Sequence, residues 1–179
     1  MEAQRGLTLV ELLIALAAAA VLFGVAVPAL SGGLEASRGA DARADLLDSL
    51  RLASNRAAIT GTRGVLCPSS DGQACAAASP DWSRGWLVFL DANANREREP
   101  GEPLVLAQGP LAGDVRLRST VGRTRIVFQG NGGNAGSNVT FTLCDGRGPA
   151  KARSLVLSNS GRLRDVPATA AAAAVTCPP

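Results

Sequence analysis

The 179-residue chain has no His and no Tyr, a single Lys and only 3% aromatic residues. Without His, Ser-His-Asp and Cys-His catalysis, His-ligated zinc and a charge switch near neutral pH are all excluded. With no nucleophile–base pair in view, the sequence reads as that of a protein that is not an enzyme and carries no cofactor. The scarcity of Lys leaves Arg as the cation: 17 of the 18 basic residues, against 15 acids, for a formal charge of +3. So small a net charge points to no partner, but its placement does. Residues 31–111 hold 8 Arg and 10 acids, a net −2, whereas residues 112–179 hold 8 Arg, 1 Lys and 3 acids, a net +6.

The 46% of hydrophobic residues are also unevenly spread. Residues 12–30, LLIALAAAAVLFGVAVPAL, run without a charge for about the length one helix needs to cross a bilayer core. Glu11 sits at the head of this run among Leu9, Val10, Leu12 and Leu13. An unpaired charge inside a span costs about 2.5–3.5 kcal/mol, so Glu11 needs a shallow position or a partner. An acid there also argues against a cleaved secretory signal and for a retained anchor. Pro28 removes one helix hydrogen bond, which predicts a bend or a local loosening.

The segment QRG-LTLVELLIALA resembles the amino terminus of the type IV prepilins and type II secretion pseudopilins: a short leader ending in Gly, then an apolar helix with Glu at its fifth position. The resemblance implies that a prepilin peptidase cuts after Gly6, that Leu7 becomes the N-methylated first residue, and that Glu11 serves assembly. The family usually has Phe in the first place, and Leu7 departs from that. A free amine at Leu7 is the cation that the Glu11 carboxylate needs, supplied by the neighbouring subunit of a helical fibre. The implied location is a single pass of the inner membrane with the head in the periplasm, then an extracellular pilus.

Beyond the anchor, Leu46, Leu50, Ala53 and Ala57 fall at i, i+4, i+7 and i+11 and form an apolar stripe on a helix over residues 34–60. A continuous helix over 7–60 would reach roughly 80 Å, with Gly61 as its C-cap. After it come GVLCPS, GWLVFLD, EPLVLAQ, DVRLRS, TRIVFQG, NVTFTLCD and ARSLVLSNSG, short β-branched or apolar runs between Gly, Pro, Asn and Asp clusters. The expected fold class is α+β and type IV pilin-like: a long N-terminal helix, its first half transmembrane, packed on an antiparallel β-sheet head. The expected divisions are a leader over 1–6, a transmembrane and assembly helix over 7–30, an amphipathic helix over 31–61, and a β-rich head with a basic tail over 62–179. Trp82, Trp86, Phe89, Phe128 and Phe141 are the candidate core.

The head carries C-P-S-x-D-G-x-x-C from Cys67 to Cys75 and W-x-x-G-W-L-V-F-x-D-x-N-x-N from Trp82 to Asn95, a pattern similar to the GspH/FimT group of minor pilins and minor pseudopilins. In an exported head, four Cys allow three disulfide connectivities, and the sequential pairing Cys67–Cys75 and Cys144–Cys177 is the one expected. By chain entropy the two bridges contribute at most about 2.6 and 3.8 kcal/mol. Zinc is disfavoured, because no C-x-x-C pair and no His is present.

Three motifs look like chemistry. Asp91, Asn93, Asn95 and Glu102 stand at positions 1, 3, 5 and 12 of an EF-hand-like spacing, with Glu97 at 7 and Glu99 at 9. Arg96 occupies the place where calcium loops require Gly, so a polar hairpin competes with a calcium site. Gly130-Asn131-Gly132-Gly133-Asn134-Ala135 matches a dinucleotide fingerprint, but a strand follows it where a helix is needed, so it reads as a turn. Gly161-Arg162-Leu163-Arg164 resembles the C-terminal G-R-x-R motif of FimT-type minor pilins, which implies DNA binding. Alternate Arg residues in extended chain point to one side, where guanidinium forks can meet phosphates, with Arg153 and Lys151 close in sequence. Arg116 with Arg118 and Arg123 with Arg125 show the same alternation.

The resemblance thus implies a minor pilin that joins other pilins in a fibre and holds DNA through its phosphate backbone for uptake in transformation. The alternative is a minor pseudopilin at the tip of a type II secretion pseudopilus. With no aromatic residue after Phe141, base stacking near the tail is not expected. Binding through about three phosphates would weaken roughly forty-fold between 50 and 200 mM salt.

Overall fold

The computed structural model describes residues 8–134, 136 and 138–177, and the side chains of all of these except 25 and 27–29. The helix α1 (Leu9–Thr60) leads into β1 (Arg63–Pro68), β2 (Trp86–Asp91), β3 (Leu104–Gln108), β4 (Arg116–Ser119), β5 (Ile126–Phe128), β6 (Val139–Cys144), β7 (Arg153–Leu157), β8 (Leu163–Pro167) and a short helix α2 (Ala170–Thr176). By its contacts the chain divides into two units, Met1–Leu34 and Glu35–Pro179.

In the first unit α1 is unbroken through position 28. The side chains of Leu9, Leu13, Leu16, Val21 and Phe23 are all more than half exposed. Among the described residues no helix is long and apolar enough to cross a membrane; the uncharged run 12–30 includes positions 25 and 27–29, whose side chains lie outside the description.

In the second unit the expected stripe is what α1 buries: Ala42, Leu46, Leu50, Ala53 and Ala57 are each at most 4% exposed. Burying a leucine contributes about 1.5–3 kcal/mol, so Leu46 and Leu50 anchor the helix to the head. Gly61 closes the helix by donating its N–H to the Ala57 carbonyl at 2.9 Å. Gly64 on β1 lets the helix approach, since a Cβ there would stand 2.4 Å from the Ala53 carbonyl oxygen.

Two antiparallel four-stranded sheets lie in the orders β3-β2-β1-β5 and β4-β6-β7-β8. The α1 stripe shares one apolar core with both. Trp86 donates its Nε1–H to Ser49 Oγ at 2.9 Å, and Ser49 donates to the Asp45 carbonyl. Trp82 meets Phe141 edge to face with ring centroids 5.1 Å apart. All five candidate aromatics are buried. Phe89 packs in a second cluster, with Val65, Cys67, Leu87 and Val127; β1 and β2 are apolar on both faces, hence the unalternating WLVFLD.

Both expected disulfides are formed, Cys67–Cys75 and Cys144–Cys177. The second fastens the end of α2 to the end of β6, around a small cluster of Cys144, Ala152, Ala173 and Cys177. The structure corrects the sequence expectation at the C-terminus, where the supposed tail is the edge strand β8 followed by α2. Strand β8 forms because LRDVP pairs in register with RSLVL across a tight turn.

Candidate nucleic-acid interface

The G-R-x-R segment is a hairpin corner. Gly161 donates its N–H to the Ser158 carbonyl at 2.9 Å and has φ +76°, while Ser158 N–H bonds the Arg162 carbonyl at 2.9 Å. This is the three-residue hairpin that needs a left-handed residue after its turn, which explains the glycine. The Ser158 hydroxyl accepts the Arg162 N–H at 3.1 Å and closes the corner.

From there the pleat sorts the side chains. Leu163 packs on the core and Asp165 faces α1, where it meets Arg43. Arg153 also holds Asp165, through Nε at 3.0 Å and Nη2 at 2.8 Å. Arg162 and Arg164, of opposite parity, are exposed and face away from the helix. Their guanidinium groups make no hydrogen bond or ion pair among the described residues.

Of the four basic residues singled out near the C-terminus, only Arg162 and Arg164 are brought together. Arg153 is bound to Asp165 on the α1 side of the sheet. Lys151 lies in the 3-10 turn Pro149–Lys151 at the far end of β7, roughly 20 Å along the hairpin from Gly161.

The other cations after residue 111 divide in the same way. Arg125 is spent on Glu97 at 2.8 Å and on the Arg96 carbonyl. Arg147 binds Asp145 at 2.7 Å, and that guanidinium holds the Asp145 carboxyl below its ordinary range. Arg116 and Arg118 on β4 form no ion pair among the described residues, although Asp81 bridges Arg118 across the sheet.

In the EF-hand-like spacing the loop's own amides take the oxygens, which is the arrangement of the polar hairpin that competed with a calcium site. Asp91 is buried and uses both oxygens on the loop's own amides, accepting from Asn95 and Arg96 at 3.1 Å each. Glu102 accepts from Ala92 at 2.9 Å and from Glu99 at 3.1 Å. Asn93 and Asn95 accept from the Asn95 and Glu97 amides, and both donate to Glu99. Among the described residues no group of three or more Cys, Asp or Glu is placed to hold a metal. Arg96, where a calcium loop would have Gly, is itself left-handed at φ +65°, so the chain turns sharply there without one. The Gly130 segment is a turn, as expected, with Phe128 bridging Asn134 and Ala135 outside the described residues.

At the other end of the chain, Gly6 and Leu7 lie outside the described residues. Glu11 is placed by a feature the sequence reading missed. Thr8 Oγ1 accepts the Glu11 N–H at 3.3 Å, while Glu11 Oε2 accepts the Thr8 N–H and hydroxyl at 3.1 Å. This capping box starts the helix, and T-x-x-E before an apolar run was its signal. The Arg43–Asp165 pair had no such signal, because 122 residues separate its members.

A long N-terminal helix whose second half packs on antiparallel sheets, with an N-terminal Glu near the helix start, defines a type IV pilin-like subunit. The chain belongs to the GspH family: the model for the type II transport protein GspH matches residues 42–161, and the prokaryotic N-terminal methylation motif matches residues 1–27. It is 34% identical over 169 residues to the pilin-like protein PilA1 of Thermus thermophilus, covering 90% of this chain and 97% of that one. The fold is similar to the type IV minor pilin FimU of Pseudomonas aeruginosa, with a TM-score of 0.55 at 15% identity over 83% of this chain and 95% of that one. It is also similar to the minor pseudopilin EpsH of the Vibrio cholerae type 2 secretion system, with a TM-score of 0.52 at 13% identity over 73% and 97%. Membership of this family makes the chain a subunit that assembles with other pilins in a fibre.

Proposed function

We propose that this protein is a minor type IV pilin that captures extracellular DNA on the β7–β8 hairpin for uptake in transformation. One observation carries the reading: Arg162 and Arg164 stand unpaired on the outer face of an edge strand, while the neighbouring acid, Asp165, is turned inward and neutralised. Two guanidinium groups about 7 Å apart on one side of a strand match phosphates along a backbone. Contacts of this kind are indifferent to sequence and sensitive to salt.

Assembly follows the methylation motif. A prepilin peptidase cuts between Gly6 and Leu7, Leu7 is N-methylated, and the helix over 7–30 anchors the chain in the inner membrane before extraction into the fibre. Glu11 then exchanges its Thr8 contacts for the Leu7 amine of a neighbouring subunit. The family model's description favours a second reading, a minor pseudopilin at the tip of a type II secretion pseudopilus.

The test is anisotropy of a labelled duplex titrated with the full chain in detergent. Wild type should bind at 50 mM salt, and R162Q/R164Q should lower affinity by about tenfold or more at 150 mM. Unchanged binding by the double variant refutes the hairpin assignment, and no binding by wild type leaves the secretion reading in its place.

A further inference from the structure

We propose that the groove beside the hairpin corner, between α1 and the start of β8, takes one unpaired base of DNA, with Arg51 holding a phosphate next to it. The inference rests on the DNA-binding reading and deepens it, because it makes single-stranded DNA the preferred ligand.

The groove has a volume of about 290 Å³, near the lower limit for a pocket that takes a small molecule, so it suits one base rather than a stacked run. Leu50, Leu157 and Leu163 supply its apolar wall, Arg51 and Asn55 of α1 form one rim, and Gly161 stands on the other. Strand parity explains its place beside the two arginines. Arg162 and Arg164 point outward, so the residue between them, Leu163, points inward to the core and the groove. Strand β8 is the last of its sheet, so a DNA strand lying along its free edge reaches both sides, with phosphates on the arginines and a base beside Leu163. At the corner Gly161 is exposed, and a Cβ there would meet nothing within 4 Å, so the path around the hairpin is open among the described residues.

The α1 rim carries the polar contacts. Asn55 is exposed and its amide makes no hydrogen bond among the described residues, which leaves a donor and an acceptor for the edge of a base. Arg51 has one charged partner among the described residues, Asp48, at 3.3 Å and one turn back on the same helix. With side chains 68% and 76% exposed, that pair is worth little, and a phosphate competes with it for the guanidinium fork. No carboxylate lines the groove, and Asp165, two residues beyond Leu163, is held by Arg43 and Arg153. The charges at the rim therefore suit an anionic chain, and the apolar wall suits its base. Phe128 reaches the groove but is only 3% exposed, so no ring is open for stacking and the base is held by burial and by its edge. A duplex must unpair a base before it can enter, whereas a single strand need not.

The test uses the full chain in detergent and two labelled probes, a single strand of about 20 nucleotides carrying 2-aminopurine between adenines and a blunt duplex of the same sequence. Wild type should bind the single strand at least about fivefold more tightly at 150 mM NaCl, and the fluorescence of 2-aminopurine, which stacking quenches, should rise as its base leaves the stack. R51Q, at an exposed position and checked by thermal melting, should flatten the slope of log affinity against log salt on the single strand by about 0.7, the share of one phosphate. R162Q/R164Q should weaken binding of both probes. If the duplex binds as tightly as the single strand, if the fluorescence does not rise, or if R51Q keeps the wild-type slope, the groove proposal is wrong and the hairpin reading stands. If wild type binds neither probe, both fall.

Discussion

The loop from Asp91 to Glu102 and the hairpin from Arg153 to Asp165 are both dense in charge, yet they use it in opposite ways. In the loop every expected ligand oxygen is turned onto a backbone amide, and Arg125 arrives from β5's flank to neutralise Glu97. In the hairpin the single acid faces inward, where Arg43 and Arg153 neutralise it, and Arg162 and Arg164 keep their charge for solvent. What separates the structural polar loop from the proposed binding surface is whether the charges close on one another. Composition does not reveal that, and strand parity does.

The largest test of this contrast removes the hub of the closed loop. Asp91→Ala strips the acceptor from the Asn95 and Arg96 amides at a buried position. Lost hydrogen bonds to a charged group and amides left without a partner should cost about 2–4 kcal/mol of head stability, read by urea unfolding. Added calcium should not restore it. A cost below about 0.5 kcal/mol, typical of a surface change, would show that the loop is not held by its own carboxylates.

On the hairpin side, Asp165→Asn breaks the junction between α1 and the β7–β8 pair. Asp165 has two charged partners and its carboxylate is 27% exposed, so the expected loss lies between surface and buried pairs, about 1–2 kcal/mol. The variant leaves Arg162 and Arg164 in place, so DNA binding at low salt should persist in the fraction that remains folded. Stability equal to wild type would mean that packing of Leu163, rather than the ion pairs, fixes β8.

Much of this fold was legible because its signals are local. The α1 stripe, the strand runs and the five core aromatics follow from periodicity and side-chain type, and the glycines at 61 and 161 mark the turns they make. Of the three possible cysteine pairings, the sequential one expected is the one formed. The misreadings share a physical cause. Strand β8 was read as tail because LRDVP has a Pro and alternating charge, signs of an edge strand that only pairing with β7 makes visible. Between 91 and 102 the spacing leaves a polar hairpin and a calcium site both open, because the amides that occupy those oxygens carry no sequence signature. Lys151 and Arg153 were grouped with Arg162 by nearness in sequence, although a hairpin carries Lys151 to the other end and strand parity puts Arg153 on the other face.

The smallest expected effect is also the sharpest comparison of the two regions. Arg125→Gln and Arg164→Gln remove the same charge from the same basic third of the chain, so an account of DNA binding by net charge expects equal losses. Placement expects otherwise. The salt dependence of binding comes from cations that neutralise phosphates and release counterions. Arg125 is already neutralised by Glu97, through bonds of 2.8 and 2.9 Å, and has no charge left to offer, whereas Arg164 is unpaired. Arg125→Gln should therefore leave affinity within about twofold of wild type and the salt slope unchanged, while Arg164→Gln lowers that slope by about 0.9. Equal losses in the two variants would return the protein to a diffuse field of positive charge and remove the case for a built surface.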